Sequence, residues 1–108
     1  MARALSNLIS NGIRYAHKTV QVSLELDGAH YHLNVEDDGY GIAEAQREKV
    51  FIPFTRLDDG RDRESGNHGL GLAIVRSIVA RHGGEVRIET SSLGGAAFQI
   101  SWPVFSDD

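Results

Sequence analysis

Residues 20–41 read VQVSLELDGAHYHLNVEDDGYG, and their pattern sets the architecture of the chain. Val20, Val22, Leu24 and Leu26 alternate with polar residues, which is the period of a half-buried strand. Asp27-Gly28 is a hairpin turn signal, and Tyr31, Leu33 and Val35 resume the alternation in a second strand. Side chains two apart share a strand face, so Asp37 points the same way as Leu33 and Val35. A carboxylate at the edge of an apolar face needs a hydrogen-bond donor. The exocyclic amine of adenine is one such donor, and Gly39 and Gly41 would let a base approach the backbone. The alternative is a strand followed by a tight turn, with Asp37 capping local amides. Because Asp37 ends its strand, its removal is expected to weaken ligand binding without unfolding the chain.

Upstream, residues 3–16 read as a helix in which Leu5, Leu8, Ile9, Gly12, Ile13 and Ala16 follow i, i+3, i+4 spacing. Its opposite face carries Asn7, Asn11 and Arg14, and Lys18 continues that face just past the helix. Two amide oxygens and a guanidinium can together hold magnesium and phosphate oxygens. An ordinary solvated helix face looks the same, but asparagine is a mediocre helix former, and two in mid-helix ask for a reason.

Downstream, residues 44–50 are expected to form a short helix, and Phe51 and Phe54 to anchor the following segment to the core rather than stack on a ligand. Residues 58–68 read as a polar surface loop in which Arg61 and Arg63, with Arg56 just before it, mix with Asp58, Asp59, Asp62 and Glu64. Residues 70–82 form a second helix stopped by Gly83-Gly84. Strands over 86–90 and 97–102 follow, joined through Leu93-Gly94-Gly95. Gly66, Gly69 and Gly71 stand just before the second helix, where free backbone N–H groups can face an anion. The stretch is not a P-loop, because no Gly-Lys-Ser/Thr follows, and no strand precedes it as in a dinucleotide fingerprint. This order of elements is α+β, with helices on one face of a largely antiparallel sheet.

The 108 residues include 12 glycines, mostly in tight clusters, and no cysteine. Disulfides and zinc–thiolate sites are therefore excluded. A formal net charge of −4 argues against a nucleic-acid partner. No apolar run approaches the ~20 residues that span a bilayer. The initiator methionine runs straight into helical sequence, so the chain is expected to be a fragment of a longer protein. His30 and His32 share a strand face at i, i+2 but lack a third nearby metal ligand, while His17 and His82 fall at helix C-termini.

Taken in order, these segments resemble the catalytic domain of bacterial two-component sensor histidine kinases. Asn7-Leu8-Ile9-Ser10-Asn11 with Arg14-Tyr15 resembles the N box, and Asp37-Asp38-Gly39-Tyr40-Gly41-Ile42 the first glycine box. Phe51-Ile52-Pro53-Phe54 resembles the F box, Gly69-Leu70-Gly71-Leu72-Ala73-Ile74-Val75 the second glycine box, and Gly94-Gly95 before Phe98 the closing glycine motif. The resemblance implies a two-layer α/β sandwich of the Bergerat ATP-binding type, with a mixed, largely antiparallel sheet and the usual N-terminal strand missing. It implies ATP and Mg2+ as ligands. Asn11 would bind the metal, with Asn7 beside it near the phosphates. Arg14 would reach phosphate, and Tyr15 would pack on adenine. Asp37 would read the adenine amine, while Gly39, Gly41, Ile42 and Phe54 would belong to the base pocket. Gly69, Leu70, Gly71 and Leu72 would place backbone amides at the phosphates, and Arg63 would lie near the γ-phosphate.

The same resemblance separates two reactions. ATPase relatives carry a glutamate four residues before the magnesium asparagine as general base on water. Here that position is Asn7, which accepts no proton at neutral pH. The implied reaction is therefore γ-phosphoryl transfer to a histidine on a separate dimerisation domain, with Asn7 and Arg63 as the catalytic candidates. A response regulator would follow downstream. The fragment would be monomeric and the full-length protein dimeric, anchored in the inner membrane with this domain on the cytoplasmic side. The alternatives are an autonomous Bergerat-fold ATPase or a docking module that no longer binds nucleotide. Three positions depart from the family pattern: Asn67 replaces a glycine, Tyr40 a proline and Gly12 an alanine. The last is expected to cost about 0.5–1 kcal/mol.

Overall fold

The structure, a computed structural model, describes residues 1–53 and 71–104. Helix α1 spans Ala2–Tyr15 and buries Ala4, Leu8, Asn11, Gly12 and Tyr15. Of the apolar face expected from the sequence only Leu8 and Gly12 are buried; Leu5, Ile9 and Ala16 are half-buried and Ile13 is 67% exposed, because α2 packs on the side that carries Asn11. Strands β1 (Val20–Asp27) and β2 (His30–Asp37) form the expected antiparallel hairpin, with Gly28 at φ 59° in its two-residue loop. The short helix expected over residues 44–50 is instead two single 3-10 turns, Glu44–Gln46 and Lys49–Phe51. Neither has a side-chain cap, and so short a segment cannot offset the cost of helix nucleation. Helix α2 covers Gly71–Arg81, and strands β3 (Glu85–Thr90) and β4 (Ala96–Pro103) complete the described elements.

The strand order is β1-β2-β4-β3, and every pairing among the described strands is antiparallel. No strand precedes α1 among the described residues. Register aligns the apolar residues in rows across the sheet. Val22 faces Val35, Val35 faces Phe98, and Phe98 faces Ile88. Leu24, Leu33, Ile100 and Val86 form the next row. Both helices lie against this face, and Leu8, Val75 and Val79 close the core over Val35, Phe98 and Ile100. The cover runs out at the edge strand, where Leu24 is 59% and Leu26 62% exposed. No described helix is long and apolar enough to cross a membrane.

Helix α2 ends as its sequence directs. Gly83 takes φ 76°, its N–H donates to Ala80 O (3.0 Å), and the Gly84 N–H donates to Val79 O (3.0 Å). This pair of bonds satisfies the last helical carbonyls, and only glycine enters that left-handed turn without strain.

Gly12 sits inside α1 against the edge strand. A Cβ there would lie 3.2 and 3.3 Å from the Val20 methyl carbons. Val20 is only half-buried and can yield by a few tenths of an ångström. Gly12→Ala is therefore expected to stabilise the chain, raising the thermal midpoint by up to about 4 °C. A melt followed by circular dichroism checks this, and a lower midpoint would show that Val20 cannot move.

Candidate functional site

Asn7, Asn11 and Arg14 share one stripe of α1, and the fold turns that stripe toward the start of α2. Together with Ser10, Gly71 and Leu72 they line a cavity of about 270 Å³ between the two helices. Asn11 is 7% exposed, and its Nδ2 is buried without a hydrogen-bond partner. Such an orphan is costly unless a ligand or water meets it. Asn7 is half-buried and Arg14 is exposed, so the stripe grades from the interior outward. No carboxylate lines this cavity among the described residues. A cavity of about 660 Å³ lies elsewhere, on the sheet face turned away from the helices. It is an open strand surface lined by residues such as Ser23, Glu25, His32 and Gln99.

The second cluster forms at the end of β2. Asp37 is 1% exposed, as strand parity requires. Its Oδ1 accepts hydrogen bonds from the Gly39 N–H (2.9 Å) and the Ala96 N–H (3.3 Å). Its backbone carbonyl accepts the Gly95 N–H at 3.1 Å. Gly95 lies directly over it, for a Cβ at that position would overlap Asp37 Oδ1 and stand 2.6 Å from Gly39 N. Gly39 in turn passes so close to the Tyr15 carbonyl that no side chain fits between them. Gly41, at φ 74°, packs on the other side of Gly95. The fold thus gathers Tyr15, Asp37, Gly39, Gly41 and Gly95 from three separate stretches. Ile42, by contrast, is buried in the core cluster with Val50 and Phe51.

Neighbouring residues brace this cluster. Glu36 points to the opposite sheet face, where its carboxylate accepts from Ser91 Oγ (2.8 Å) and Asn34 Nδ2 (2.9 Å). Ser91 Oγ also accepts the Leu93 N–H at 2.9 Å and so shapes the turn that delivers Gly95. Arg47 spans from Ile42 O (3.0 Å) to Thr90 Oγ1 (3.0 Å). Arg76 on α2 pairs with Glu48 at 2.7 Å and lies 5.0 Å from the centre of the Phe51 ring. Phe51 is buried in the core, as expected of that residue.

Asp38 was missed by sequence reasoning. Its carboxylate accepts the backbone N–H groups of His17, Lys18 and Thr19 at 2.8–3.2 Å. Those bonds hold its carboxyl below the usual carboxylate range. Lys18 contributes most, and Thr19 and His17 add to it against a partial loss of solvent. A carboxyl whose folded pKa is depressed stabilises the fold above its ordinary pKa, and loses that contribution as pH falls through the lowered value. The only signal in the sequence was the Asp37-Asp38 doublet, whose second member falls on the opposite parity.

Among the described residues, no histidine side chain lines the cavity between the helices or touches Asp37. The His30 and His32 rings lie 6.5 Å apart at the exposed start of β2, and no group of three or more metal-ligating side chains occurs among the described residues. His82 Nδ1 lies 2.9 Å from Ile78 O at the end of α2. Phe54, Arg63, Asn67, Gly69 and Leu70 lie outside the described residues, as does the whole of 58–68.

Residues 1–106 match the family described as histidine kinase-, DNA gyrase B-, and HSP90-like ATPase. The chain is 55% identical over 105 residues to the sensor protein RstB of Escherichia coli (strain K12), covering 97% of this chain and 24% of that protein. It is 43% identical over 102 residues to the sensor histidine kinase CpxA of the same strain, covering 94% and 22%. Among solved structures, the mycobacterial sensor histidine kinase MprB superposes with a TM-score of 0.83 at 33% identity, over 94% of this chain and 70% of that one. Full-length ShkA in complex with AMPPNP superposes at 0.78 with 29% identity, over 96% and 21%. The chain thus spans about a quarter of the length of the curated relatives it matches.

Proposed function

The chain belongs to the histidine kinase-, DNA gyrase B-, and HSP90-like ATPase family, and within it we propose that this is the catalytic ATP-binding part of a two-component sensor histidine kinase. It binds Mg-ATP and presents the γ-phosphoryl group to a histidine on a separate dimerisation domain, from which a response regulator is served. By its likeness to membrane sensors, the longer protein would be anchored in the inner membrane with this domain on the cytoplasmic side.

The observation that carries this reading is the cavity between α1 and α2. It holds two asparagines, an arginine and the first residues of a helix, and no described carboxylate. A hydrolase needs a base that takes a proton from water, and a phosphotransferase that borrows its nucleophile needs only position and charge. Asn7 occupies the place of the base and can serve only to hold.

A magnesium ion fits the donor set. Asn11 lines the cavity and its amide oxygen is a neutral hard donor, while its partnerless Nδ2 is a hydrogen-bond donor suited to a phosphate oxygen rather than to the metal. Magnesium keeps most of its waters and takes few protein ligands, so one amide beside nucleotide phosphates suits it. When bound, it would supply positive charge that offsets the charge of the phosphates. The chain's own residues do the rest. Arg14 neutralises phosphate from the cavity rim, and Asp37, held by two amides, receives the adenine amine. Tyr15 lines the base side. Arg63 remains the candidate arginine for the γ-phosphate.

Titration calorimetry with ATP and ADP, with and without magnesium, tests the reading. Saturable, magnesium-sensitive binding is expected, with no steady-state phosphate release. Adding a histidine-bearing dimerisation domain in trans should then yield a phosphohistidine. Steady-state hydrolysis by the chain alone would move it to the ATPase class. A folded chain that binds neither nucleotide would leave a docking module.

A further inference from the structure

Helix α1 and strand β2 each carry half of the proposed nucleotide site, and the covalent path between them runs through the whole β1 hairpin. A ligand that touches both halves needs them at a set separation. The helix leaves its last turn abruptly, with Ala16 extended at φ −68°, ψ 148°, and the chain then runs through residues 17–19 before β1 begins at Val20. Backbone amides in such a stretch must find acceptors or water.

They find Asp38. Its Oδ1 accepts from His17 (2.8 Å), Lys18 (3.0 Å) and Thr19 (3.2 Å), and its Oδ2 also accepts from Lys18 (3.1 Å). Hydrogen bonds to an ionised acceptor are about twice as strong as neutral ones. The next two residues reinforce the grip. Gly39 lies against the Tyr15 carbonyl, and the Tyr40 ring meets the His17 ring edge-on at 5.4 Å. Asp38, Gly39 and Tyr40 therefore clasp the exit of α1 immediately beside Asp37. The same helix end carries Arg14 and Tyr15, and Asn11 lies one turn earlier.

We propose that Asp38 is a positioning residue for the nucleotide: by holding the amides of residues 17–19, its carboxylate sets the end of α1 at the distance from Asp37 that a bound adenine nucleotide requires. This rests on the nucleotide-binding reading above. The benefit is preorganisation, since a helix end already in place loses no further freedom when ligand arrives. The Asp38 carboxylate bonds only backbone amides, so its effect on affinity passes through the placement of Tyr15 and Asn11.

The test compares the 108-residue chain with its Asp38→Asn and Asp38→Ala variants. ADP affinity is measured by calorimetry at a temperature where circular dichroism shows all three fully folded. Amide spectra by nuclear magnetic resonance report on residues 15–19. Asp38→Ala should weaken ADP about tenfold, with Asp38→Asn between it and the parent because one carbonyl oxygen still accepts. The amide signals of His17, Lys18 and Thr19 should move, and the ADP-induced shift at Tyr15 should shrink. Unchanged ADP affinity in folded variants overturns the proposal, even if their melting points fall, because Asp38 would then serve stability alone. A parent chain that does not bind ADP overturns the nucleotide reading itself and the proposal with it. If Asp38→Ala does not fold, Asp38→Asn decides by the same criteria.

Discussion

Asp37→Asn should leave the chain folded and weaken adenine-nucleotide binding by about a hundredfold or more. Asp37 Oδ1 already accepts two backbone amides, from Gly39 and Ala96. Asparagine keeps one carbonyl oxygen, which can continue to take both. What changes is the other atom of the group, which turns from an acceptor into a donor. An adenine amine then meets an N–H, and a buried donor facing a donor is left unpaired. Asp37→Ala should behave differently. It removes the acceptor for two buried amides as well, at a cost of about 1–3 kcal/mol in stability. The expectation from sequence, that a strand-end carboxylate can be deleted without harm to the fold, therefore holds only for the isosteric change. Calorimetric titration with ADP and a thermal melt on both variants separate the two effects. Equal loss of stability in Asn and Ala variants would mean that the charge, not the acceptor, holds the turn.

Gly95→Ala should be strongly destabilising, with a loss of about 3 kcal/mol or more. The added carbon would overlap Asp37 Oδ1 and stand 2.5 Å from Asp37 O and 2.6 Å from Gly39 N. Two of these neighbours are backbone atoms of β2 and its turn and cannot swing away as a side chain would. Relief requires β4 to part from β2, which breaks the Gly95–Asp37 hydrogen bond and exposes Phe98 just beyond. The same methyl displaces the Asp37 carboxylate, so nucleotide binding should fail at temperatures where the variant is still folded. Denaturant unfolding of the parent and variant measures the first effect, and ADP titration the second. An alanine chain as stable as the parent would show that the turn through Leu93 and Gly94 can carry Gly95 outward. The neighbouring Gly94 provides the control, since nothing lies within 4 Å of a Cβ there and only its φ of 108° resists substitution.

Much of this was legible in the order of the residues. The alternation through Val20–Asp27 and His30–Asp37 predicted the hairpin and the inward direction of Asp37. The i, i+3, i+4 pattern predicted α1 and the common face of Asn7, Asn11 and Arg14. Gly83-Gly84 predicted where α2 stops. Each of these is a local property, because strand period, helix period and glycine's freedom of φ act within a few residues. The depth of Asn11 was not legible. A helical wheel placed it on the polar face, yet α2 packs close enough to bury it to 7% exposure. The 3-10 turns over Glu44–Gln46 and Lys49–Phe51 were likewise hidden, since a seven-residue stretch of helix formers looks the same in either form.

By itself, then, the sequence determined the strands, the two longer helices and the shared face of Asn7, Asn11 and Arg14, since those follow from periodicity and side-chain chemistry alone. Only the tertiary structure decided how the two halves of the site are held together. Gly95 lies over Asp37 from 58 positions away, and Asp38 reaches back 19 to 21 positions to the exit of α1. Contacts of that range leave no periodic trace, because a glycine needed for close approach and a glycine needed for a turn are written with the same letter. Which role each plays is set by what packs against it once the sheet has closed.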